Sequence, residues 1–161
     1  MSLNIDFSAL TSCEVMGLDI DRNEHEQLKI LQGEAEAYLL SHEWCSGIVK
    51  SMFGFGAGRI FAVYFIQIKP SAPDVEEYFW VISGNFPALY FVADTDMPTP
   101  GDALSEYLAV MQTWADAAVR QDHDLAAELP PVNAPFTPEF GKMLGKQLEQ
   151  FIAELMSDDE T

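Results

Sequence analysis

Basic residues are scarce in this chain. Its 161 residues hold 8 Lys plus Arg against 26 Asp plus Glu, a formal net charge of −18. A nucleic-acid backbone is bound through a basic footprint, so nucleic acid is excluded as a direct partner. An anionic membrane surface is disfavoured by the same charge. Cysteine is scarce too. Cys13 and Cys45 are too few for a disulfide framework, and they read as reduced thiols of a cytoplasmic protein. No apolar run approaches the roughly 18 residues that span a bilayer. The longest, Ile60 to Ile68, is interrupted by Gln67 and suits a strand. Met1 to Asp6 has no basic stretch and no apolar segment follows it, so no targeting signal is read.

Apolar residues are plentiful, at 48%, with 12% aromatic. That composition builds a core, and the length suits one domain over residues 1–161. The charge is unevenly placed. Residues 1–43 hold nine acids and two bases, residues 44–93 three of each, and residues 102–161 twelve acids and three bases. The neutral middle carries 12 of the 19 aromatics. A neutral, aromatic core element is thus flanked by two acidic segments, whose charge belongs first of all to solvated helix faces.

Local patterns predict the elements. Asn23 with Glu26 matches a capping box, and Leu28, Leu31, Ala35 and Leu39 form one helical stripe running to about Ser41, despite Gly33. Residues 1–22 are ambiguous between a strand and an irregular lead-in. Strands are expected over Trp44–Phe53, Arg59–Lys69, Glu77–Ser83 and Ala88–Val92, with a glycine-punctuated turn at Phe53–Gly58 and a tight reversal at Gly84-Asn85. Such short links join antiparallel neighbours. Thr99-Pro100 with Asp102 opens a second helix with a stripe of Leu104, Leu108, Met111, Ala115 and Ala118. Pro130-Pro131 and Pro135 mark a linker. Thr137-Pro138-Glu139 opens a third helix, with Phe140, Leu144, Leu148, Phe151 and Leu155 on one side, and 157–161 reads as a frayed acidic tail. The expected fold class is α+β: an antiparallel meander of about four strands with three main helices packed on it. The run at 59–69 is apolar on both faces, which calls for a covering helix or a second subunit, so a homodimer is open.

Little in the chain points to chemistry. Asp19-Ile20-Asp21 opens like a calcium loop, but Glu24 and Ile30 stand where Gly and Glu are required. Gly54, Gly56 and Gly58 lack the dinucleotide-binding spacing. No metal site and no cofactor is expected. His42-Glu43-Trp44-Cys45 is the most reactive-looking cluster, since a thiol nucleophile needs a base beside it. With Arg59 near backbone amides, His42 and Cys45 make the candidate pocket of a small-ligand binder or enzyme. The plainer reading is a structural His42 and a buried Cys45, with no catalytic residue assigned.

The stretch Trp80-Val81-Ile82-Ser83-Gly84-Asn85-Phe86-Pro87, with Tyr90 after it, resembles a family of small bacterial proteins known only as a domain of unknown function. There the segment reads as two tryptophans, V-I-S-G-D-L-P and a tyrosine. Here Phe79-Trp80 replaces the tryptophan pair and Asn85-Phe86 replaces D-L. The resemblance implies an α+β fold in a bacterial cytosol and carries no activity.

The function expected first is a non-enzymatic interaction module that binds a basic protein, as immunity proteins and secretion chaperones do. The docking face would lie across helices 102–121 and 138–156, with Asp116 and Glu149 off the apolar stripes as its candidate residues.

Overall fold

A computed structural model describes the backbone of residues 11–12, 22–57, 61–84, 86–93, 99–130, 132 and 134–158, and the side chains of these apart from residues 11–12, 22–25, 55–57 and 154–158. The elements run β1 (Thr11–Ser12), α1 (Arg22–Leu40), β2 (Cys45–Ala57), β3 (Phe61–Pro70), β4 (Tyr78–Gly84), β5 (Leu89–Val92), α2 (Pro100–Arg120), α3 (His123–Ala127) and α4 (Pro138–Asp158). The strands form one sheet in the order β1-β2-β3-β4-β5, every neighbouring pair antiparallel. The α+β class and the meander are therefore as expected. Two compact units divide the chain, Met1–Leu104 and Ser105–Thr161.

In the first unit α1 lies on the sheet through Leu28, Leu31, Ala35 and Leu39, which are all buried with Cys45, Tyr64, Ile66, Ile68, Phe79 and Val81 in one apolar cluster. Spacing of i, i+3, i+7 and i+11 puts the four helical residues on one stripe. Two buried hydroxyls fix the helix in place. Tyr64 donates to the Leu28 carbonyl and Ser83 Oγ donates to the Leu31 carbonyl at 2.9 Å. Each bond satisfies a group whose burial alone would cost about 1–3 kcal/mol. The other face of β3 and β4 is buried as well, with Val63 and Trp80 at 0% exposure, Ile82 at 1% and Phe65 at 3%. The single chain thus covers both faces of the central strand, and no second subunit is needed there.

Several boundaries differ from expectation. β2 does not stop at Phe53 but continues to Ala57, so Gly54 and Gly56 lie in a strand rather than a turn. The reason is close packing: a Cβ on Gly54 would stand 2.7 Å from Pro100 Cβ and 3.0 Å from the Val63 carbonyl. Register shifts between Cys45 and Gly47, Ile48 and Lys50, and Phe53 and Phe55 mark bulges along β2. Gly84 ends β4 with φ 145°, a conformation open to glycine, which accords with the expected reversal. Residues 1–22 include the two-residue strand β1, which pairs Thr11 with Phe53 and Ser12 with Met52. At the other end α4 extends to Asp158, two residues into the expected tail, and Asp159–Thr161 lie outside the described residues.

In α2 the expected capping box is present in both directions. Asp102 N donates to Thr99 Oγ1 at 3.2 Å, while Thr99 N donates to Asp102 Oδ2 at 3.2 Å. α2 ends at Arg120, and the next residue, Gln121, with φ of 55°, takes the left-handed cap position usually given to glycine. Its side chain compensates by donating to the Ala118 carbonyl at 2.7 Å and the Phe136 carbonyl at 3.1 Å. The short α3 was not expected. Asp122 caps it, accepting from Leu125 N at 3.1 Å. Thr137 caps α4 as expected, accepting from Phe140 N at 3.2 Å. In this second unit α2 and α4 meet at Gly141, where a Cβ would stand 2.7 Å from the Ala115 carbonyl.

Candidate functional site

Two of the three residues expected to form a reactive pocket, His42 and Cys45, are engaged elsewhere. His42 follows α1, and its Nδ1–H donates to the Leu39 carbonyl at 3.2 Å. Its ring sits in an aromatic cluster, stacked on Trp44 at 4.7 Å and edge-on to Tyr38 and Tyr90 at 5.1 Å each. Trp44 is stacked in turn on Phe79 at 5.0 Å. These rings close the end of the sheet by packing on one another, worth about 0.5–1.5 kcal/mol per pair beyond area burial. Burial, with Tyr90 adding to it, pushes the Tyr38 phenol up to about 12.

Cys45 is free and buried. Its thiol points to the Gly47 carbonyl at 3.6 Å, and burial holds its pKa above the ordinary thiol value. A nucleophilic thiol needs the opposite shift, toward thiolate. Arg59 lies outside the described residues. The side chains of His42 and Cys45 therefore do not act on a common point: one belongs to the aromatic cluster and the other to the apolar cluster beneath α1. Cys45 in the native protein is expected to resist iodoacetamide at pH 7–8 and to label only when pH passes the ordinary thiol range or the chain unfolds. Peptide mapping of the labelled protein checks this. Native labelling as fast as that of the unfolded chain would restore the nucleophile.

Beside the aromatic cluster is a shallow recess of about 230 Å³, lined by Trp44, Val75, Glu76, Phe79, Tyr90 and Val92. Small-molecule pockets usually run to roughly 300–1,000 Å³ and bury most of their ligand. Trp44 also has stacking partners in His42 and Phe79, so its faces are committed to packing. Among the described residues no group of three or more His, Cys, Asp or Glu could hold a metal ion, and no helix is long and apolar enough to cross a membrane.

The larger concavity lies in the second unit. A groove of about 770 Å³ between α2 and α4 is lined by Ala115, Asp116, Val119, Gly141, Met143 and Gly145, with Lys142, Lys146 and Glu149 along α4. Residues 115, 116 and 119 share one face of α2, and 141, 145 and 149 share one face of α4. Val119 and Met143 are 36% and 47% exposed, large apolar groups left in water. Both expected interaction residues, Asp116 and Glu149, line this groove. They do not form an acidic face, however. Asp116 is bridged by Arg120 at 3.3 Å, and Glu149 shares its helix face with lysines. The periodicity of each helix was legible, but the pairing of two stripes some thirty residues apart was not.

Compared with models of protein families, with curated proteins and with solved structures, the chain matches none.

Proposed function

We propose that this chain is a non-enzymatic interaction module whose partner is a basic protein. The observation that supports it is the sorting of charge over residues 105–161. This segment has eleven acids, but its three bases, Arg120, Lys142 and Lys146, all gather at the α2–α4 groove or on Asp116 beside it. Elsewhere on the unit, exposed carboxylates such as Glu106 and Glu128 have no Lys or Arg within seven residues in sequence. Uncompensated charge of one sign reaches about 8 Å into physiological salt and speeds encounter with the opposite sign. The buried, protonated thiol of Cys45 supports binding over catalysis as well.

The test begins with a partner crosslinked in native cells, then purified. Its association rate is expected to fall steeply between roughly 50 and 500 mM salt, because rim charges mainly set the on-rate. Glu106→Gln with Glu128→Gln should slow association, whereas Asp116→Asn, already compensated by Arg120, should change it little. A partner with an acidic surface, or a rate indifferent to salt, overturns the proposal.

A further inference from the structure

We propose that the α2–α4 groove seats a second copy of this chain, by antiparallel pairing of α4 with α4 about a two-fold axis between Gly145 and Lys146. The inference goes beyond the basic-partner reading and does not rest on it, since that partner is drawn to acid outside the groove.

Three observations carry it. The groove leaves Val119 and Met143 exposed over a floor of Ala115, Gly141 and Gly145, a seam of the kind that a second pair of helices covers. Gly145 contributes an open notch, because a Cβ there would meet nothing within 4 Å. It is unlike Gly141, whose missing side chain is already used by α2. A small residue beside the axis lets two helices approach closely.

The charge then selects the occupant. Two copies of a chain with net charge −18 repel over most of their surface. The groove is the exception: Asp116 is paired with Arg120, and Glu149 stands on α4 with Lys142 and Lys146. A strongly basic helix would meet those lysines, and an acidic one would meet the rest of the field. A second copy meets its own complement. An isologous contact places residue i against j and j against i. Lys142 and Glu149 are seven residues apart, two turns along one face of α4, and lie symmetrically about the point between Gly145 and Lys146. Antiparallel pairing about that point sets each Lys142 against Glu149 of the other copy.

The experiment is sedimentation equilibrium on the full chain and on charge variants. The wild type is expected to dimerise at micromolar concentration. Lys142→Glu places two acids opposite each other and Glu149→Lys places two bases, so each alone should weaken the dimer by about tenfold or more. The double swap restores both pairs and should return the dimer to near wild-type affinity. Gly145→Leu fills the notch and should abolish the dimer, with an unchanged far-UV circular dichroism spectrum. These positions are exposed or border open space, where substitution seldom disturbs a fold. A monomer at every concentration up to about 100 µM overturns the proposal, since a specific interface of ordinary size associates well below that. So does a dimer indifferent to either single reversal, or a double swap that fails to restore it.

Discussion

Trp80→Ala is expected to destabilise the protein by about 3–5 kcal/mol, the range for deleting a fully buried aromatic. Trp80 has 0% exposure in the middle of β4. Its register partners are Phe65 on β3 and Phe91 on β5, and its ring meets Phe65 edge-on at 5.1 Å. Cutting the side chain back to a methyl leaves a cavity between aromatic neighbours that strand pairing holds apart. A domain is stable by only about 5–15 kcal/mol, so this loss is a large share of the total. Urea denaturation followed by circular dichroism checks it. Trp80→Phe, which keeps an aromatic ring in the site, should lose less than half as much. A Trp80→Ala midpoint close to wild type would mean that this face of the sheet is not a packed core.

Gly141→Val is expected to cost about 3 kcal/mol, near the upper end for overpacking a tight contact. A Cβ on Gly141 would stand 2.7 Å from the Ala115 carbonyl, 2.9 Å from Ala118 Cβ and 3.0 Å from Val119 N. Two of these neighbours are helix backbone, which cannot turn aside as a flexible side chain can, so α2 and α4 must part. Four residues on, the sign reverses. Gly145→Ala meets open space and should add up to about 1 kcal/mol through helix propensity alone. Thermal melts of the two variants should therefore move in opposite directions. Equal shifts would show that the two helices have room to separate at Gly141.

The contrast between these glycines shows how far local reading reaches. Both stand in one apolar stripe region of α4, and propensity assigns them the same penalty. Only the position of α2 distinguishes them. Gly54 is a similar case: with Gly56 and Gly58 beside it, local rules read a turn, whereas Pro100, distant in sequence, occupies the space that a side chain would need. His42 and Cys45 looked like a reactive pair because they are three residues apart. Their neighbours decided otherwise, since the imidazole found aromatic rings and the thiol found the apolar cluster under α1.

What the sequence determined by itself was whatever depends on near neighbours. The Thr99–Asp102 box and the Thr137 cap start helices because their side chains satisfy backbone N–H groups within one turn. Leu28, Leu31, Ala35 and Leu39 face the core because helical spacing puts them on one stripe. The meander follows from short links that cannot support parallel pairing. The tertiary structure alone decided which glycines are crowded, how the acid of the chain is offset around Arg120, Lys142 and Lys146, and that the stripes at 112–119 and 141–149 line a common groove. Those properties arise where segments distant in the chain come within a few ångströms, and no periodicity within either segment specifies that approach.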